Sequence, residues 1–566
     1  MIGWASWQNG ANWGSGDPMA ARLSVAQAIV GFLEAQKIAH VFGVPGESFL
    51  GVLDALHDSD IRFVNARQEG GAAMMAEATG KLTGKPGICM VTRGPGATNA
   101  SAGVHVAQQD STPMILFVGQ IARQFEGRDA FQEVNYQNFF GGMVKGVLEL
   151  NHAERVYEQL FRAWSLAIEG RPGPVVVVLP EDVLDEQVNC EVLLPYRPLA
   201  TPRLPDGAVA DILVLLEQAK QPVAIIGDLT FDRELDDTTL TQRLGMPLIA
   251  SFRRQGSTGP WLAGYGGDLG LGTNPALVQR VREADLLLLL NEPFSEIPSQ
   301  SYGLVPGANG QKVIQVLPSA AELGRWFRPD FGLVGKPSSL LNALADADFV
   351  PKAQWRLQAK QAEAEFSDWQ TSIGQHPGAV QMPEVVAELK RQVSDAVMCN
   401  GAGNYATWLH RFWRYKPNGQ VAPLSGSMGY GLPAAIAAQL VCPDKRVICW
   451  AGDGCLQMTI QEMATAVEQR QTLIVLLIDN GMYGTIRMHQ ERHFPSRISG
   501  TIIENPDFCA IAQGYGWQAH RVDETKTFRA ALQQSLDHHG PSLIRVMLDP
   551  EAITPSKTLT EVREGF

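Results

Sequence analysis

The sequence predicts an α/β chain of three doubly wound parallel-sheet domains, and three observations carry that expectation. Its 566 residues exceed what one core serves, since single cores stop growing beyond about 250 to 300 residues. Apolar runs of buried-strand length recur along the chain, each ending in a Gly, Asp or Asn loop and followed by helical spacing. The clearest repeat runs from Arg446 to Tyr483: Val447 to Trp450 ends at Gly452-Asp453-Gly454, and Leu473 to Ile478 ends at Asp479-Asn480-Gly481. A helix over roughly Gln457 to Gln469, with Met458, Ile460, Met463, Ala464 and Val467 on one face, completes a βαβ unit. Asp453 and Asn480 are therefore expected at the carboxyl ends of neighbouring parallel strands, where open α/β sheets bind ligands.

Taken in order, residues 1–20 hold three tryptophans without periodicity and read as a flexible extension. Residues 21–190 form the first domain: a helix Val25 to Gln36, then strands at His40 to Phe42, Arg62 to Asn65, Gly87 to Thr92 and Met114 to Val118. Their loops include Val44 to Ser48, Arg67 to Gly71, Gly94 to Asn99 and Gly119-Gln120. A Pro-rich, aperiodic linker leads to a middle α/β domain over 207–345, which has strand signals but no GxGxxG turn. Polar, helix-prone Lys352 to Gln370 bridges to the last domain, 375–550, followed by a tail over 551–566. The first and last domains share a rhythm, which suggests two related halves around a middle one.

A net charge of −13, with 45% hydrophobic and 19% charged residues, argues for a soluble protein and against nucleic acid or anionic membrane as partners. Seven cysteines without a CxxC pair fit reduced thiols in the cytoplasm rather than a zinc site. No apolar run approaches membrane-spanning length, and no signal peptide is evident.

A carboxylate (Asp453), an amide oxygen (Asn480) and a nearby carbonyl make a hard, all-oxygen partial shell suited to Mg²⁺, and the glycines allow close approach of a phosphate. This stretch resembles the magnesium-diphosphate motif of thiamine diphosphate (ThDP) enzymes. The resemblance implies that Asp453, Asn480 and the carbonyl of Met482 hold the metal. It places Gly452, Gly454, Cys455, Tyr483 and Gly484 around the diphosphate. Activating such a cofactor at C2 requires a carboxylate on its aminopyrimidine. Glu69 is the candidate, although a glutamate opening a helix also stabilises the helix dipole.

The run Arg67 to Ala78, with Thr92 to Asn99, Asp110 to Pro113, Val118 to Gln120 and Asp129 to Glu133, resembles the pyrimidine-binding domain of acetolactate (acetohydroxyacid) synthase. On that pattern Glu69 activates the cofactor and Gln120 faces the reacting carbon. In Gly426 to Pro433, Met428 would wedge under the cofactor, and Asn404 with Tyr405 would reach the diphosphate. Three domains of the ThDP-enzyme type are implied, pyrimidine-binding, middle and diphosphate-binding, in a homodimer or homotetramer whose sites combine Glu69 of one chain with the metal site of another.

The chain also departs from that family. The arginine that helps hold the second substrate, in a segment that touches FAD, is replaced within Asn291 to Glu296, and a tryptophan that sorts acceptors is replaced by His489. Both changes count against acetolactate formation and against FAD. Glu47 stands where pyruvate-decarboxylase-like enzymes carry an acidic group; His105 and His489 are further acid–base candidates, with packing or surface positions as the alternative. Lys145 matches a family lysine near the pocket entrance. The expected activity is decarboxylation of a 2-oxo acid and carboligation to an aldehyde or ketone, or the reverse cleavage. Alternatives are a non-oxidative decarboxylase and a non-catalytic cofactor-binding subunit.

Overall fold

The computed structural model describes residues 22–565, except 192, 198–203, 231, 233, 234, 236, 259–261, 305, 307–309 and 373. The extension expected over 1–20 lies outside the described residues. The chain forms three parallel sheets of six strands each, flanked by helices. Their central strands are apolar, as burial on both faces requires: Leu286–Leu290 and Pro174–Pro180 are buried at every residue.

The first sheet contains, in chain order, His40–Gly43, Arg62–Asn65, Gly87–Val91, Met114–Gln120, Gly146–Glu149 and Pro174–Pro180. The third contains Val397–Asn400, Gln420–Val421, Val447–Gly452, Ile474–Asp479, Gln518–Val522 and Ser542–Met547. In both, the spatial order is second, first, third, fourth, sixth, fifth. The relatedness suggested by their rhythm is thus present in topology. The middle sheet (Pro222–Ile226, Leu248–Ala250, Tyr265–Asp268, Leu286–Leu290, Lys312–Leu317, Phe331–Val334) is ordered third, second, first, fourth, fifth, sixth. That is the order of doubly wound nucleotide-binding sheets, despite the missing glycine fingerprint.

The first and third units meet through helices rich in small residues. Helix Glu69–Thr83 packs on Pro95–Asp110 and on Gly431–Val441 of the third unit. A Cβ on Gly103 would lie 2.4 Å from that of Ala73, so glycine is what permits this approach.

The structure corrects three expectations. The helix expected over Gln457 to Gln469 is three short pieces, Asp453–Gln457, Ile460–Glu462 and Met463–Glu468. Its buried side is Thr459, Glu462, Met463, Thr465 and Ala466, whereas Met458 is 51% exposed. The reason is polar: Thr459 donates to the Gly429 carbonyl at 2.7 Å, and Glu462 accepts from the Arg67 amide and the Thr465 hydroxyl. Second, most of the stretch Gly94 to Asn99 is helix, with Pro95 at the first helical position. Third, the polar helix Ala353–Thr371 is more than a bridge, because Trp355 and Phe366 belong to the core of the middle unit.

Candidate functional site

Parallel pairing of Val447–Gly452 with Ile474–Asp479 delivers Asp453 and Asn480 side by side at their carboxyl ends. The Asp453 carboxylate is 3% exposed. It accepts from the amides of Gly454 (2.8 Å) and Gly481 (2.9 Å) and from Asn505 Nδ2 (2.7 Å). Burial pushes its carboxyl up to about 6, with the nearby Asp479 adding to the shift against these hydrogen bonds. Among the described residues it has no cationic partner. A buried carboxylate so placed suits a cation.

The loop after Asp479 is held by a short segment far along the chain. Tyr483 donates its amide to the Thr501 carbonyl (2.9 Å), Ile503 donates to Gly481 (2.8 Å), and Met482 bridges Ile502. Asn505, at the end of this segment, spans Asp453 and Asp479, and Asp479 is ion-paired with buried Arg545 at 2.7 Å. Asn480 Oδ1 accepts from the Met482 amide at 3.3 Å.

The glycines have steric reasons. A Cβ on Gly452 would sit 2.5 Å from the Tyr405 ring, and one on Gly454 would sit 2.7 Å from the Tyr483 ring. The Tyr405 hydroxyl and the Gly429 amide are directed at Cys455 Sγ (3.1 and 3.2 Å), while burial raises the thiol. Asn404 is fixed by Thr485, whose hydroxyl donates to Asn404 Oδ1 at 2.9 Å.

These residues line a cavity of about 820 Å³ that includes Asn404, Tyr405, Gly426, Met428, Gly452, Asp453, Gly454, Cys455, Asn480, Met482, Tyr483 and Gly484. The same cavity extends to the middle sheet, reaching Asp228, Asn291 and Glu292 at the carboxyl ends of its first and fourth strands, where the strand order reverses.

The remaining candidates are not brought into this cavity of their own chain. Glu69 opens its helix half-buried and accepts from Asn99 Nδ2 at 3.0 Å. Gln120, at the end of its strand, donates to the Val134 carbonyl at 2.9 Å. Glu47, its side chain 67% exposed, pairs with buried Arg93 at 2.5 Å, and Arg93 also meets Glu181 at 3.1 Å. His105 and His489 are exposed on their helices. His489 stacks on His493, and its pKa is lowered by burial and by the Arg492 and His493 charges. Lys145 precedes its strand and donates to the Glu169 carbonyl. It therefore lies at the edge of the first sheet opposite the one carrying Glu69 and Gln120.

Asp479, Asn505, Arg545 and Thr485 escaped sequence reasoning. Asp479 had a signal in its place beside Asn480; Asn505 and Arg545 had none, being brought in by pairing across a long separation.

Thiamine pyrophosphate enzyme family models match all three units: the N-terminal TPP binding domain over residues 23–139, the central domain over 209–344 and the C-terminal TPP binding domain over 401–546. The chain is 31% identical to the acetolactate synthase large subunit of Corynebacterium glutamicum, over 91% of this chain and 85% of that protein. It is 30% identical to the acetolactate synthase isozyme 2 large subunit of Escherichia coli, over 93% and 96% respectively. It is 28% identical to the probable acetolactate synthase large subunit of Methanocaldococcus jannaschii, over 94% and 93%. The chain belongs to the thiamine pyrophosphate enzymes, as an acetolactate synthase-like member catalysing carboligation or decarboxylation.

Proposed function

We propose that this protein uses thiamine diphosphate and Mg²⁺ to decarboxylate a 2-oxo acid and join the remaining fragment to an aldehyde or ketone. The observation that carries the reading is the placement of the unpaired, buried Asp453 beside Asn480, between glycines that leave room for a diphosphate. Asp453, Asn480 and the Met482 carbonyl would hold Mg²⁺, and Gly452, Gly454, Cys455, Tyr483, Gly484, Asn404, Tyr405 and Gly426 would surround the diphosphate. When bound, the cofactor supplies a carbon nucleophile for the substrate carbonyl and takes up the charge left as CO₂ departs.

The chain's own residues do the rest. Glu69 would hold a proton at the aminopyrimidine, kept in place by Asn99, and Met428 would keep the cofactor bent from below. Glu69 and Gln120 sit at the carboxyl edge of the first sheet, away from the cavity of their own chain. This supports a homodimer or a larger homo-oligomer in which one chain's Glu69, Gln120, Glu47 and His105 face another chain's diphosphate loops. His489, beyond the metal loop on helix Gly484–His493, would meet the acceptor.

The middle unit does not suit a flavin dinucleotide. At its strand-order reversal Asp228 is ion-paired with Arg254 at 2.9 Å, Asn291 donates to the Asp228 carbonyl, and the buried Glu292 carboxyl is raised by burial. Carboxylates at the point where this sheet order would seat a phosphate count against one there.

Simple decarboxylation is a second reading, favoured by Glu47, whose exposed carboxyl group could take a proton from solvent and pass it to the product carbon. Among the described residues no helix is long and apolar enough to cross a membrane, and four of the seven cysteines are buried and all are free, which supports a cytoplasmic setting. The test is turnover of a panel of 2-oxo acids by purified protein, with and without aldehydes, products identified by mass spectrometry. A joined hydroxyketone is expected. Free aldehyde alone would favour decarboxylation, and no turnover of any 2-oxo acid would contradict both.

A further inference from the structure

Six lysine and arginine side chains are buried among the described residues: Lys81, Arg93, Arg253, Arg254, Arg487 and Arg545. Five of them face a carboxylate: Lys81 meets Glu77 and Asp110, Arg93 meets Glu47 and Glu181, Arg254 meets Asp228, Arg487 meets Glu491, and Arg545 meets Asp479. Arg253 is the exception. It is 5% exposed, no carboxylate among the described residues lies within ion-pair distance, and its Nε has no hydrogen-bond partner. Its two terminal nitrogens donate to main-chain carbonyls of the third unit, those of Pro423 and of Gly401, the latter at 3.1 Å.

A lone buried cation is costly, because desolvation is not offset by a counter-charge. Two carbonyl dipoles and the Phe252 ring, 4.9 Å from the guanidinium, recover only part of that cost, and burial accordingly lowers the Arg253 pKa. The backbone adds to the anomaly: Arg253 has φ +55°, a left-handed conformation unfavourable for a long side chain. Such a residue persists where the surroundings require it.

The surroundings here are the cavity of the metal loop. Arg253 lines it together with Gly403, Ser425, Gly426, Gly454 and Cys455. Gly401 and Pro423, which it holds, begin the two loops that carry Asn404 and Met428. On the metal side the cavity presents an unpaired buried anion, Asp453; on the other it presents an unpaired buried cation. A metal-bound diphosphate matches both.

Resting on the reading that Asp453 and Asn480 hold a metal-bound diphosphate, we propose that Arg253, reaching in from the middle unit, is the counter-cation for the diphosphate end of the cofactor. It neutralises charge that Mg²⁺ leaves uncompensated and ties cofactor affinity to the docking of the middle unit on the third. Arg253 follows the second strand of the middle sheet, Leu248–Ala250, and from there supplies a charge to the neighbouring site.

The test is calorimetric titration of the metal-loaded, cofactor-free full chain with thiamine diphosphate and with thiamine, alongside thermal unfolding of the same cofactor-free protein. Arg253→Gln keeps a donor for one carbonyl but removes the charge; Arg253→Met removes both. For each variant, affinity for thiamine diphosphate should fall about 10- to 100-fold, the range for losing a charged hydrogen-bonding partner. Thiamine should bind as before, and the unfolding midpoint without cofactor should hold or rise. Arg253→Lys should recover part of the affinity. Unchanged thiamine diphosphate affinity in Arg253→Gln would overturn the proposal. So would an equal loss for both ligands with a lowered midpoint, since Arg253 would then be a strut. Asp453→Ala, measured in parallel, separates the two claims: retained metal-dependent binding there would remove the diphosphate reading itself.

Discussion

The first and third units share one strand order, yet their carboxyl edges hold opposite electrostatic arrangements. At the third, Asp453 is buried without a cation, enclosed by main-chain amides and Asn505. At the first, Glu69 is half-buried, with Asn99 its one side-chain partner among the described residues, and the buried charge is Arg93, already met by Glu47 and Glu181. The topology places loops at the same edge in both units; the residues on those loops set the two edges apart. On the proposed function, the third unit's edge would bind the cofactor and the first unit's edge would act on what is bound.

Exchanging side chains at the two edges should therefore produce different defects. The largest belongs to the third unit: Asp453→Ala should abolish Mg²⁺-dependent binding of thiamine diphosphate in calorimetry, since it removes the one charged side chain of the proposed metal site. Retained tight binding would break the contrast. Glu69→Gln should keep binding but slow exchange of the cofactor's C2 proton about 100-fold or more, the scale of a lost acid–base group, as read by NMR after deuterium quench. A variant that instead lost the cofactor would move Glu69 into the binding class.

A smaller effect is steric. Gly452→Ala places a methyl 2.5 Å from the Tyr405 ring, and chemical denaturation should report a loss of about 1 to 3 kcal/mol, typical of overpacking, with weaker cofactor binding. The last concerns pH. The third unit buries His410, whose pKa is lowered to about 3 by burial and by the nearby Arg253 charge; among the described residues the first unit buries no histidine. The folded state thus refuses a proton that the unfolded chain accepts, so stability present above the ordinary histidine range is lost as pH falls from about 6.5 towards 3. His410→Phe should flatten the unfolding midpoint against pH in that window, and an unchanged slope would assign it elsewhere.

Much of this was legible in the sequence. Strands buried on both faces declare themselves as apolar runs, so Val447–Gly452 and Ile474–Asp479 are plain, and Asp453 and Asn480 follow from them because parallel strands end at one edge. The broken helix after Asp453 was not legible, since Thr459, Glu462 and Thr465 are buried through hydrogen bonds to distant loops that no periodicity reports. Nor was Asn505, joined to Asp453 across 52 positions. Arg253 looked like one charged residue among many; only its lack of a carboxylate partner, visible in three dimensions, distinguishes it.

The central claim is that the two edges work on each other across a chain interface, and co-expression of Glu69→Gln with Asp453→Ala chains tests it most directly. In a hybrid dimer one interface collects both defects and the other collects none. With random pairing, about a quarter of the wild-type C2 proton exchange per mole of chain should return, half of the dimers being hybrid and half of their sites intact. Exchange no faster than in either variant alone would place Glu69 and Asp453 of one chain in the same site and contradict the account.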